Sequence, residues 1–349
     1  VLLFPALSTT LSAQTSPRGP IASRKNFPTD LLFLSPIIGS AYPAGHKFSL
    51  NIRYVHSNTF VKSGSILDIL PEQDGRLLFE RKLAEALVAN RPAEDAYFFD
   101  METKRLIFAG TPLLRRRLQI SSALPIVQHS GDFLDGIIEK FHSVFNISDD
   151  ERPDFRRNTA QAFLYLDGHF LHKTDRQLSG IGPGDFSLQT HYLLFAEQRR
   201  QPAVALRFAV ELPTGSTKKL HGNGHLDWGA GVLLSKRIAR NALYLTFDLL
   251  IPGTWQPLGD VELPRFFVLQ IAYERLIGDA VSVLLQANSN TNPFRGKTTT
   301  GLNGVSYELT LGGKIDLSAN IRFAAALTEN IAYFRNSPDL GFQLGLEVR

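Results

Sequence analysis

From Ala203 to Pro252 the chain alternates, with Val204, Leu206, Phe208, Val210 and Leu212 separated by Ala205, Arg207, Ala209 and Glu211. The pattern returns in Leu226, Trp228, Ala230, Val232 and Leu234, and again in Leu243, Leu245, Phe247, Leu249 and Ile251. A period of two predicts β-strands. Each runs for roughly 10 residues, the length of a tilted strand that crosses a bilayer, whereas strands of soluble proteins have about 5 to 6. The expected fold class is therefore all-β, a transmembrane antiparallel up-and-down barrel with its apolar face toward lipid and its small or polar face toward the lumen.

The same alternation predicts strands near Lys47–Ser57, Arg105–Thr111, Arg117–Val127, Phe186–Phe195, Phe266–Arg275, Val281–Asn288, Ser306–Ile315, Asn320–Thr328 and Leu340–Val348. Connections alternate in length. Those at Glu197–Pro202, Arg237–Asn241, Leu276–Ala280 and Asp316–Ala319 are short, and those at Thr214–His225, Pro252–Arg265, Ser289–Val305 and Glu329–Asp339 are long. Short periplasmic turns and long outer loops are the habit of outer-membrane barrels, and about 12 spanning strands then leave both termini in the periplasm. The remainder reads as a helical and hairpin insertion on the outer side, in cap loops 57–96 and 130–183 of a barrel spanning residues 46–349. Within it, Leu77–Val88 suggests a short helix, and Ala162–His172 a small non-spanning hairpin turning at Asp167-Gly168. A clearer helix gathers Phe133, Leu134, Ile137, Ile138, Phe141, Val144 and Phe145 on one face, with Asp135 and Glu139 on the other, and is expected to cap the barrel mouth.

Composition changes the picture at the N-terminus. Val1–Leu11 is apolar and Leu11-Ser12-Ala13 resembles a signal-peptide cleavage site, so residues 1–13 read as a signal peptide remnant. Residues 14–45 form a periplasmic N-terminal segment in which prolines 17, 20, 28, 36 and 43 argue against a ladder strand. It could be a plug reaching into the lumen or a strap along the periplasmic rim, and the strap is expected. Hydrophobic residues make up 44% and the mean hydropathy is -0.05, with no run of about 18 apolar residues that could form a spanning helix. Cysteine is absent, which suits export without disulfides. A net charge of +4 without a basic stripe gives no basis for nucleic-acid binding.

Candidate chemistry lies on the inward face. Alternation directs Arg53, Arg117, His191, Arg207, Glu211, Asp248, Glu274, Glu308 and Arg322 into the lumen, together with Gln189 and Gln286. Rings of mixed charge could select solutes, or the same residues could form a filled, salt-bridged core. Both readings stay open. His169 with His172, and His221 with His225, have no third ligand at suitable spacing, so neither a metal nor another cofactor is expected. An outer-membrane lipid hydrolase is the enzymatic alternative; no Gly-x-Ser-x-Gly occurs, and no catalytic residue is assigned.

Four motifs remain: Ser130-Gly131-Asp132-Phe133-Leu134-Asp135-Gly136, Gly180-Ile181-Gly182-Pro183-Gly184-Asp185, Glu211-Leu212-Pro213-Thr214-Gly215 and Asn336-Ser337-Pro338-Asp339-Leu340-Gly341. Together they resemble an uncharacterised family of Gram-negative outer-membrane β-barrel proteins, distantly similar to outer-membrane proteins of aromatic-degradation pathways. The resemblance runs from about Asn26 to Arg349, with Ser63–Pro92 as an insertion. It implies location in the cell outer membrane and no transferable activity. The expected function is passive transport of a small solute through a narrow, mixed-charge lumen. The alternative is a non-transporting structural or partner-binding barrel that presents its outer loops. Expected partners are outer-membrane lipid and lipopolysaccharide, the barrel-assembly machinery and a small solute, with no nucleic acid.

Overall fold

The structure, a computed structural model, describes residues 16–42, 49–69, 75–145, 151–294, 301–332 and 335–349; the signal-peptide remnant expected at residues 1–13 lies outside them. The strands, in chain order, are β1 Leu50–Lys62, β2 Ala96–Leu114, β3 Leu118–Ser130, β4 Gln161–Leu166, β5 His169–Thr174, β6 Gly182–Pro183, β7 Phe186–Phe195, β8 Ala203–Leu212, β9 Asp227–Ile238, β10 Asn241–Ile251, β11 Phe266–Ile277, β12 Val281–Asn290, β13 Ser306–Asp316, β14 Ile321–Ala332 and β15 Leu340–Val348. The two longer helices are α1 Arg81–Asn90 and α2 Leu134–Phe145, and a single helical turn, α3 Asp175–Leu178, follows β5. All but β4, β5 and β6 form one closed antiparallel barrel of 12 strands. Closure comes from β1 against β15, with Leu50 opposite Val348 and Asn58 opposite Leu340.

Alternation decides which way each side chain points. Leu206, Phe208, Trp228, Leu243, Phe247, Ile271, Leu285, Leu311, Leu327 and Leu344 are exposed on the outer surface, with Phe208 at 50% and Phe247 at 46%. Their neighbours Arg207, Thr246, Asp248, Gln270, Glu274 and Gln286 are buried inside. An apolar belt of this extent is not maintained against water, so lipid is its solvent. Replacing Phe247 by Arg should accordingly cost about 2 to 4 kcal/mol in urea unfolding from lipid vesicles. A cost near zero would mean that Phe247 lies outside the hydrocarbon.

Short turns close one end, which we call the turn end; the long connections gather at the other, the loop end. There β1 and β2 project beyond the ring, and the first residues of β2 pair with β4, Ala96 opposite Tyr165 and Asp100 opposite Gln161. The β4–β5 turn falls at Asp167-Gly168, both at positive φ (50° and 81°), as a tight hairpin of this kind requires. The inner face of this blade carries Val61, Tyr97, Phe99 and Leu164 in an apolar core with Trp255, Phe294 and Leu302. The outer face packs Phe60, Phe98 and Phe163 against Phe79, Phe155 and α1.

Helix α2 differs from expectation in place and in orientation. It does not cover the mouth. It lies on the outward side of β1 and β2, where the Leu134 N–H donates to Glu102 (2.6 Å) and Asn58 donates to Asp135 (2.9 Å). Its buried residues include Asp135 and Glu139 beside Leu134 and Ile138, whereas Phe133, Ile137 and Val144 are 56%, 51% and 69% exposed. The acidic face turns inward because arginines meet it. Arg152 binds Asp135 at 2.7 Å and also Asp339, and Arg76 and Arg157 both bind Glu139. Burial alone would raise the Glu139 carboxyl, but hydrogen bonds from Arg157 and Arg76 hold it at about 2.

Candidate functional site

The lumen is occupied by the chain's own N-terminal segment. Residues 18–42 enter at the turn end, rise to an apex at Phe27–Phe33 and return, so the expected rim strap is in fact an internal plug. The proline-interrupted backbone cannot join the ladder, and side chains of the wall satisfy its polar groups instead. On the rising limb, Glu274 accepts from the N–H groups of Arg18 (2.8 Å) and Gly19 (3.0 Å). Gln286 accepts from the Ile21 N–H (2.6 Å) and donates to the Ile21 carbonyl (3.1 Å). Carbonyls of this limb accept from Lys314, Arg322, Gln343 and Arg53. Higher up, Asn26 donates to Ser57 Oγ at 2.6 Å, and Ser57 Oγ donates back to the Asn26 carbonyl at 3.0 Å.

The apex enters the apolar core of the loop end. Phe27 meets Phe99 with ring centres 5.9 Å apart, and Phe33 meets Trp255 at 6.3 Å. Leu32 is buried in the same cluster. Together these side chains fill the loop end with apolar packing.

On the descending limb the N–H of Leu34 donates to Asp227 (2.8 Å) and that of Ala41 to Ser235 Oγ (2.9 Å), while Arg207 donates to the Ile37 carbonyl (2.6 Å). Arg207 is held in turn by a two-pronged pair with Asp248, both side chains fully buried. A latch ends the limb. Tyr42 Oη donates to Glu197 in the β7–β8 turn (2.8 Å), Arg237 Nε donates to the same carboxylate (2.9 Å), and the Arg237 guanidinium lies over the Tyr42 ring at 4.5 Å. Burial opposes ionisation of Glu197, but its bonds from Arg237, Tyr42 and Lys236 hold the carboxyl down at about 2.

The sequence-selected residues therefore meet the plug rather than an open pore. Arg53, Arg207, Glu274 and Arg322 bind it directly, and Asp248 orients Arg207. Glu211 lies 3.7 Å from Arg24, and Glu308 faces Lys25 and Asp30, themselves paired at 2.7 Å. His191 borders the remaining cavity. Arg117, expected in the lumen, instead sits exposed in the turn between β2 and β3, one residue before the strand resumes, and is not among the residues that border the cavity. Asp227, Ser235 and Thr246 were missed, although their inward register relative to Arg207 and Asp248 was readable from the alternation.

Partners of the two limbs lie mainly on β8 to β15 and on β1. Along the inward faces of β1, β2, β3 and β7 the plug leaves a cavity of about 860 Å³, reaching from Asp279 and Asp316 at the turn end up to Asp185 and Glu211. Asp185 accepts from the Gly215 N–H (2.7 Å); burial nevertheless pushes its carboxyl up to about 6.

The architecture has a counterpart among solved structures. An outer-membrane channel from Pseudomonas putida F1 superposes with a TM-score of 0.50 at 11% identity, covering 88% of this chain and 97% of that one. Outer membrane phospholipase A from Escherichia coli (TM-score 0.37, 10% identity, 88% and 98% covered) and the P. putida toluene transporter TodX (0.37, 8%, 87% and 89%) are more distant. At these identities the likeness is one of fold. No curated protein matches the chain in sequence. Residues 70–349 match the profile described as protein of unknown function (DUF3187), and the chain belongs to that family.

Proposed function

We propose that the protein is a non-catalytic outer-membrane channel for a small solute, and that its N-terminal segment is the gate. The observation that carries this reading is the asymmetry of the lumen, one side occupied by a hydrogen-bonded plug and the other left as a cavity of about 860 Å³ lined by charged, polar and apolar side chains. The turn end faces the periplasm, as in other barrels of this architecture. The cavity is then a vestibule entered from that side, and passage requires the apex to leave its seal around Trp255. The exposed Phe133 and Ile137 of α2 continue the apolar belt, since Phe133 packs on His56 and His56 on Phe342. This helix lies in the outer leaflet, with Lys140 at the level of lipopolysaccharide phosphates. Three histidines are held by groups other than serine, His56 by Glu102, His129 by Thr103 and the Leu220 carbonyl, and His225 by Asp260.

The chain has no cysteine, so a pair introduced as Asn26→Cys and Ser57→Cys can lock the rising limb to β1 without competing disulfides. Refolded in a planar bilayer, the unmodified and the reduced locked barrels should open intermittently with an ion preference, and oxidation should silence the locked one. Currents unaffected by the lock would overturn the plug as gate. Silence from every folded form would overturn the channel.

A further inference from the structure

Among the arginines that border the cavity are Arg24 from the plug, Arg53 from β1 and Arg105 from β2. All three act on one another electrostatically, and the carboxylate acting on Arg105 is Glu211. Arg24 and Arg105 thus share the carboxylate of Glu211. Arg24 spends its Nη2 on the carbonyls of Asp30 (2.9 Å) and Phe33 (3.1 Å), and Arg53 its Nη1 on the carbonyl of Ala22 (2.6 Å). Arg105 makes no such bond among the described residues. It is 4% exposed, and the Nε atoms of Arg24, Arg53 and Arg105 are all buried without a partner. A guanidinium taken out of water is strongly unfavourable unless an anion meets it, and its planar fork matches the two oxygens of a carboxylate or phosphate.

We propose that Arg53 and Arg105 form an oxyanion-binding site in the vestibule, which takes a small organic solute by its carboxylate or phosphate head. The two residues stand on adjacent strands, Arg53 opposite Ile107 and Arg105 opposite Val55. Gln189 and Ser187 offer further polar contacts, and Val55 and Ile107 offer an apolar wall for the rest of the solute. A cavity of about 860 Å³ suits a molecule of that class. Arg24 belongs to the gate as well as to the site, since its guanidinium ties the apex carbonyls; an anion that draws on Arg24 competes with that tie.

This proposal deepens the channel reading, but its test is read at equilibrium without current, so the two can fail separately. The full-length barrel in zwitterionic detergent is titrated with inorganic phosphate and, separately, with hexanoate at constant ionic strength, and the unfolding temperature is followed. A saturable rise is expected with at least one probe. Phosphate alone would assign a phosphate head, hexanoate alone a carboxylate, and both the shared fork. Arg105→Gln should weaken the response at least tenfold and should itself be more stable than the unmodified barrel without anion, because a buried unpaired charge is gone. Arg105→Lys keeps the charge without the fork and should fall between. No saturable rise with either probe, or the same rise in folded Arg105→Gln, would overturn the site.

Discussion

A barrel lacking residues 16–42 should conduct continuously where the full chain opens intermittently, with single-channel current at least several-fold larger. Removal returns Asp227, Glu274, Gln286 and Lys314 to water, all now occupied by plug backbone. Small eight-stranded barrels are just filled by their side chains and those of 16 to 18 strands hold an aqueous channel, so a ring of about 12 has room for water once its insert is gone. The deletion also strips Phe27, Leu32 and Phe33 from the seal around Trp255. Each contributes at most about 1.5 to 3 kcal/mol of burial, so the unfolding midpoint in urea should fall while the barrel still forms. Planar-bilayer recording on material that shifts its gel mobility on boiling decides the matter. A folded, plug-free barrel that stays silent would mean that the loop end is closed by Trp255, Phe294 and Leu302 alone.

Asp248→Ala should destabilise the folded barrel by about 3 to 5 kcal/mol, because it strands Arg207 as an uncompensated buried cation. Asp248 faces Gly231 across the β9–β10 ladder. The approach is so close that a Cβ at position 231 would lie 1.9 Å from Asp248 Oδ1, and glycine is required there. Gly231→Ala should therefore push in the same direction by displacing the carboxylate. Combining Arg207→Met with Asp248→Leu should recover most of the loss, short of the bond from Arg207 to the Ile37 carbonyl. Urea titration in lipid vesicles measures each step. A cost under about 1 kcal/mol for Asp248→Ala would show that water already reaches Arg207, as for an exposed ion pair.

The legible parts of the fold are those where one side of a strand touches lipid. Phe186–Phe195 and Leu340–Val348 form with the expected bounds, since lipid on one face and a packed lumen on the other impose a strict period of two. Where that asymmetry ends, legibility ends. β2 begins at Ala96 rather than near Arg105 because Tyr97 and Phe99 enter one apolar core and Phe98 the other, which erases the alternation. At Arg117 the period of two no longer holds, because this residue belongs to the turn before β3. In α2, the apolar stripe was visible but its orientation was not, since Arg76, Arg152 and Arg157 come from distant positions to bury the acidic face.

By itself the sequence determined the all-β class, the facing of the strands, the inward set around Arg207, Glu274 and Arg322, and the unfitness of the proline-rich N-terminal segment for a sheet. These follow from local periodicity and from the missing N–H of proline, which depend on near neighbours alone. Only the tertiary structure decided that the segment fills the lumen, that Arg105 makes no hydrogen bond among the described residues, and that Trp255 packs against the plug apex at the loop end. Each of these depends on which wall groups meet one short backbone, and partners such as Arg18 and Glu274 are 256 positions apart in the chain. No period along the chain encodes that meeting; closure of the barrel creates it.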